Sequence, residues 1–196
     1  MVRDLLSPHV ADPEARERLA EYIGLLERWS LTHNLGPGTG RATIVPGVVE
    51  SLAGAPHLGP AGRLMDIGSG GGLPAIPLLV VRPHWRGVLV EPRMKRWAFL
   101  RTAVREVGVD AEVIRARRED LGPDEDLVDV VTTRGTGNLR NLLAWARVRL
   151  DRSGQVLLWT SGSGADSVTG VPGWSVVSSP LPGPDRYLVH ARVCFT

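Results

Sequence analysis

Leu64-Met-Asp-Ile-Gly-Ser-Gly-Gly-Gly-Leu73 decides how the rest of this chain is read. Leu64, Met65 and Ile67 suit a short buried strand, which the glycines at 68, 70 and 72 end. Without side chains there, the backbone turns tightly and approaches a ligand closely before a helix begins. The apolar run over residues 73–81 supplies that helix. Downstream, strands at 87–91, 111–114, 127–132 and 155–159 alternate with helices at 93–107 and 139–150. Such alternation predicts parallel βαβ units, with helices on both faces of one sheet. Beyond residue 160 Gly, Pro and Ser accumulate, and the alternating Tyr187-Leu-Val-His-Ala-Arg-Val193 predicts a closing antiparallel strand pair. Upstream, residues 13–30 carry Leu19, Tyr22, Ile23, Leu26 and Trp29 at helical spacing, with Asp12 as cap and Pro13 at the first helical position. A glycine- and proline-rich break at 34–40 precedes a short helix at 45–53. The expectation is one α/β domain over 1–196: a helical extension at 1–60, a core at 61–160 and a closing β segment at 161–196.

With 43% apolar and 22% charged residues, the totals match an ordinary globular domain. No apolar run approaches the roughly 18 residues that span a bilayer, and the first residues lack the apolar stretch of a secretory signal. Cys194 is the single cysteine, and the five histidines are scattered, so neither a disulfide nor a metal site is expected. A reducing cytoplasm and a monomeric, membrane-free state are the corresponding expectations. The formal charge is only +2, yet residues 82–118 carry ten basic against four acidic side chains. Arg93, Lys95 and Arg96 are the candidates there for contacting nucleic-acid phosphates. A solvated helix face explains the same pattern equally well.

A glycine-rich turn alone is shared with nicotinamide- and flavin-binding folds. Asp66 tilts the reading toward S-adenosylmethionine. Two residues before the first glycine, a carboxylate suits the cofactor's ammonium group, whereas the pyrophosphate of a dinucleotide would be repelled. Glu91 ends the next strand, 23 residues after Gly68, where it can accept from ribose hydroxyls; nicotinamide sites use the same feature. At the third strand end, Arg118 and Glu119 are the candidates for adenine contacts, against the simpler reading of a helix cap and surface charge. Together these features predict a Rossmann-like class I S-adenosylmethionine-dependent methyltransferase, with a mostly parallel sheet, an antiparallel terminal strand and an N-terminal helical extension.

Methyl transfer from a sulfonium is an in-line displacement that depends on positioning. The chain has no Asn/Asp-Pro-Pro-aromatic motif for exocyclic amines, and Cys194 lies in the final strand, away from any pyrimidine chemistry. A ring nitrogen with a free lone pair, such as guanine N7, needs neither, so this pattern is compatible with N7 as acceptor. Arg134, at the end of the fourth strand, faces the crevice and can meet substrate, a phosphate or the cofactor carboxylate, against the simpler reading of a surface arginine paired with a neighbouring acid.

Longer motifs narrow this further. They are Tyr22-Ile-Gly-Leu-Leu-Glu-Arg-Trp29 followed by Asn34-Leu35, Asp66-Ile-Gly-Ser-Gly-Gly-Gly-Leu-Pro-Ala-Ile-Pro-Leu78, Glu91-Pro-Arg-Met-Lys-Arg-Trp-Ala-Phe-Leu-Arg101, Arg117-Arg-Glu-Asp-Leu121 and Asp129-Val-Val-Thr-Thr-Arg134. In these the chain resembles the ribosomal small-subunit methyltransferase G family, also called glucose-inhibited division protein B. The resemblance runs from about Leu19 to Trp159. It implies methylation of guanine N7 in 16S ribosomal RNA, with S-adenosylmethionine as cofactor and the RNA or the small subunit as partner. It also implies cofactor contacts at Gly68, Leu73, Arg118, Glu119 and Arg134, beside Asp66, Gly70 and Gly72 of the turn, and a ribose contact at Glu91. Arg134 is the residue this reading places at the chemistry. The chain departs from the family where His and Asp usually precede Ser51-Leu52, having Val48, Val49 and Glu50 instead. It also has Arg134-Gly135 for Arg-Ala, and Thr160-Ser-Gly162 for Lys-Gly. These departures keep open another RNA, a small molecule, or cofactor binding without catalysis.

Overall fold

The computed structural model describes residues 2–35, 38, 40–122, 127–135 and 137–194. Seven strands form one sheet: β1 (Gly62–Ile67), β2 (Trp85–Val90), β3 (Ala111–Ile114), β4 (Val128–Arg134), β5 (Leu150–Thr160), β6 (Trp174–Pro180) and β7 (Tyr187–Val193). Their order is β3-β2-β1-β4-β5-β7-β6. The first five run parallel, and β7 pairs antiparallel with both β5 and β6. This is the α/β architecture expected from the alternation of strands and helices. The order reverses between β1 and β4, so the crevice beyond their carboxyl ends is where a ligand binds in such a sheet.

Alternate residues of each central strand feed two cores. Leu64, Leu89, Val130 and Leu157 pack under α1 (Val2–Leu6), α2 (Pro13–Ser30), α3 (Arg41–Ser51), α4 (Ala75–Val81) and α5 (Met94–Val107). Met65, Val88, Val131 and Val156 pack under α6 (Leu139–Arg147) and α7 (Gly162–Val168). The period of two along a strand is what allows one sheet to serve both layers. In α2 the capping geometry follows the sequence reading: Asp12 accepts from the amides of Glu14 and Ala15 at 3.1 and 3.3 Å, and Pro13 opens the helix.

Several boundaries differ, each for a local reason. The third helix starts at Arg41 and passes through Pro46, then tightens into a 3-10 turn over Leu52–His57. The helix after the glycine turn begins at Ala75, because the positive φ angles of the glycines delay it. The sixth helix stops at Arg147, and Leu150 is already paired with Val128. The register of β4 and β5 then shifts between Val128 and Val130, the strand irregularity that hid the start of β5. Helices α1 and α7 carry no periodic stripe long enough to be read from sequence.

Candidate active site

The glycine turn is built from backbone. The amides of Gly68 and Ser69 donate to Val90 O at 2.9 and 3.1 Å, tying the turn to the end of β2. Gly68, Gly70 and Gly72 have φ of 73°, 55° and 91°. At Gly72 the requirement is also steric: a Cβ would lie 2.5 Å from Ile76 Cδ1 and 3.1 Å from the Tyr22 hydroxyl. Tyr22, from the middle of α2, donates its hydroxyl to Gly71 O at 2.5 Å and is fully buried. Burial pushes its phenol far above the ordinary range, with Asp66 adding to the shift, so it stays a donor.

Two buried carboxylates flank this turn. Asp66 is 1% exposed; its Oδ1 accepts from Thr132 Oγ1 at 2.7 Å, whereas Oδ2 is buried with no donor among the described residues. Burial pushes its carboxyl up to about 7, with the charge of Glu91 contributing, against the hydrogen bonds that favour the anion. A buried carboxylate oxygen without a donor fits an ammonium ligand, which would supply both the hydrogen bond and the charge. Glu91 is occupied in a way the sequence reading did not anticipate. Its Oε2 accepts from Gly70 N and its Oε1 from Arg93 N, both at 2.9 Å. It therefore braces the glycine turn against the start of α5, and each oxygen keeps one further acceptor position.

Two cavities meet at Gly68. The larger, about 1260 Å³, is walled by Gly68–Gly71, Leu73, Arg96 and Arg134, with Glu50 and Val49 of α3 and the 181–186 loop. The smaller, about 550 Å³, runs between Ile67, Val90, Arg93, Arg118, Glu119 and Asn138. The structure thus brings most of the sequence-selected residues to one crevice, with Asp66, Glu91 and Gly72 buried in its supporting wall. Arg118 donates to Glu119 Oε1 through Nη2 at 2.7 Å, so these two are an ion pair at the rim of the smaller cavity. The basic segment divides. Arg93 faces the smaller cavity, Arg96 lines the larger and donates to Asn34 O at 3.0 Å, and Lys95 is exposed outside both.

Arg134 closes the far side of the larger cavity. It donates to Gly47 O at 3.1 Å and to Glu50 Oε2 at 2.6 Å, and Arg186 donates to the same oxygen at 2.6 Å. Burial pulls the Arg134 guanidinium below its ordinary range, opposed by the negative charge of Glu50. Sequence reasoning missed Glu50 as part of the site, Arg186, and the role of Tyr22 beyond its apolar stripe. The signal for Glu50 was a lone carboxylate in the apolar stretch Ile44-Val-Pro-Gly-Val-Val-Glu50. Nothing local marks Arg186, which reaches the site only because β7 lies beside β5. Among the described residues no group of three or more His, Cys, Asp or Glu side chains is arranged to hold a metal. No described helix is long and apolar enough to cross a membrane.

Comparison with known proteins shows the family and the fold. The family described as rRNA small subunit methyltransferase G matches residues 15–169. A protein named ribosomal RNA small subunit methyltransferase G from Marinobacter nauticus is 34% identical over 186 residues, covering 90% of this chain and 86% of that one. One of the same name from Dichelobacter nodosus is 35% identical over 147 residues, covering 74% of this chain and 69% of its own. Among solved structures, precorrin-6y C5,15-methyltransferase from Geobacter metallireducens superposes with a TM-score of 0.61 at 16% identity, over 76% of this chain and 87% of that one. The ribosomal protein L11 methylase of Lactobacillus delbrueckii gives the same TM-score at 11% identity, over 74% and 77% of the two chains. At such identities these two speak for the fold alone.

Proposed function

The chain belongs to the rRNA small subunit methyltransferase G family, and on that premise we propose that it methylates guanine N7 in 16S ribosomal RNA with S-adenosylmethionine as donor. Bound S-adenosylmethionine supplies an electrophilic methyl group on a sulfonium. The observation that carries the reading is Asp66 Oδ2, a buried acceptor without a donor among the described residues, two residues before a left-handed glycine turn. In this reading Asp66 takes the cofactor's ammonium group, and Gly68, Gly70, Gly72 and Leu73 form the cradle. The spare acceptor positions of Glu91 take the ribose hydroxyls, while Arg118 and Glu119 border the adenine. Arg134 stands at the acceptor side, positioned for substrate or for the cofactor carboxylate. Guanine N7 attacks through its own lone pair, so the chain needs to orient the base and exclude water, not to remove a proton.

Arg93, Lys95 and Arg96 provide positive charge beside the crevice for RNA phosphates. Residues 1–196 act as a single monomeric unit in the cytoplasm, with 1–60 as the helical extension, 61–160 as the cofactor core and 161–196 as the closing segment. The test is to incubate purified protein with cofactor labelled in its methyl group and with either small ribosomal subunits or naked 16S RNA, then digest the RNA to nucleosides. Label in 7-methylguanosine is the expected result. Label in another nucleoside, or none in either substrate, would refute the assignment.

A further inference from the structure

Glu50 is a charged side chain on an otherwise apolar helix stretch, only 9% exposed, and it nonetheless lines the larger cavity. Two guanidinium groups converge on one of its oxygens: Arg134 Nη2 and Arg186 Nη1 both donate to Oε2 at 2.6 Å. Among the described residues no hydrogen bond reaches Oε1. The two ion pairs fix the orientation of the carboxylate and leave its second oxygen with unused acceptor capacity at the crevice wall. Val49 and Pro46 of α3 and Leu181 and Pro182 of the facing loop give that part of the cavity apolar flanks, suited to the faces of a planar base.

We propose that Glu50 is a specificity-determining residue of the acceptor site, its Oε1 accepting from the N1–H and N2–H₂ edge of the target guanine. The inference rests on the guanine reading above. Arg134 and Arg186 hold the carboxylate in that orientation and cancel its repulsion toward RNA phosphate. Adenine presents a lone pair at N1 where guanine presents a proton, so it meets repulsion as well as a lost hydrogen bond. In Glu50→Gln the carbonyl oxygen turns toward the two arginines, because they can only donate. The amide NH₂ is then left facing the donors of guanine.

The experiment compares kcat/KM on two forms of 16S RNA, naked or in small subunits, whichever accepts label: one with guanosine at the methylated position, as located by mass spectrometry of nuclease fragments, and one with inosine there. Inosine lacks only the N2 amino group. The wild-type protein is expected to use the inosine RNA at least about tenfold less well, the loss of one hydrogen bond to a charged acceptor. In Glu50→Gln the ratio falls to within about twofold of unity, because the acceptor that senses N2 is gone. Equal use of both RNAs by the wild-type protein overturns the inference without needing any variant. So does a Glu50→Gln protein that slows both substrates by the same factor, the signature of a residue that only holds the arginines. Absence of transfer to the guanosine RNA would instead overturn the proposed function, and this inference with it.

Discussion

A carboxyl group that is 1% exposed, with one oxygen lacking a donor among the described residues, is costly to ionise, and Asp66 is in that state. Its pKa rises from 3.8 to about 7 in the fold. Between those values the unfolded chain has released the proton and the folded chain retains it, so this group's contribution to stability is lost as pH rises from about 4 to about 7. Asp66→Asn, measured by denaturant unfolding across that range, is expected to flatten the decline. An ammonium ligand reverses the preference by favouring the anion, so S-adenosylmethionine affinity is expected to rise as pH passes through 7, and not to do so in Asp66→Asn. At constant pH, calorimetry on Asp66→Ala should show binding weaker by about 1–3 kcal/mol, and unchanged affinity would remove Asp66 from the site. Asp66, the glycines and Glu91 were legible from spacing alone. The bracing of Glu91 against the glycine turn was not, since its hydrogen-bond partner Gly70 N lies 21 residues away and leaves no mark in a sequence window.

Among the elements, α2 couples the N-terminal helices to the glycine turn and to α4 and α5. Its start is held by the Asp12 cap, and Asp12→Ala is expected to cost about 1 kcal/mol in urea unfolding while leaving cofactor affinity unchanged. Its middle touches the site through the Tyr22 hydroxyl on Gly71 O. Tyr22→Phe keeps the ring packing and removes that bond, leaving the carbonyl to relax. A stability loss of about 1–2 kcal/mol is expected, together with weaker cofactor binding by calorimetry. A stability loss with unchanged affinity would show that the contact only fastens the helix. The amphipathic stripe of α2 was readable because a surface helix writes its buried face at three- and four-residue steps. Helix α3 begins earlier than the sequence predicts because Pro46 and Gly47 interrupt any such period, although the helix runs through both. The short α1 and α7 are held by packing, which a window of five to seven residues does not encode.

At the scale of the molecule, the proposed RNA surface is a matter of charge placement. Arg93 and Lys95 are exposed, and neither is engaged by a salt bridge among the described residues. Replacing either with Ala is expected to weaken RNA binding and to reduce the slope of log affinity against log salt by about 0.7–0.9 per phosphate contact, as fluorescence titrations can show. An unchanged slope would place the RNA elsewhere. Arg96, tied to Asn34 O, is expected to affect folding as well as binding. By itself the sequence determined the βαβ class, the glycine turn, the acids on either side of it and the family resemblance, because these depend on periodicity and short spacings. Only the tertiary structure decided that Glu50 and Arg186, 136 residues apart, meet Arg134 across the crevice. That meeting is set by sheet order, which places β7 beside β5, and a side chain's partner across a fold depends on where the chain returns, not on its neighbours in sequence.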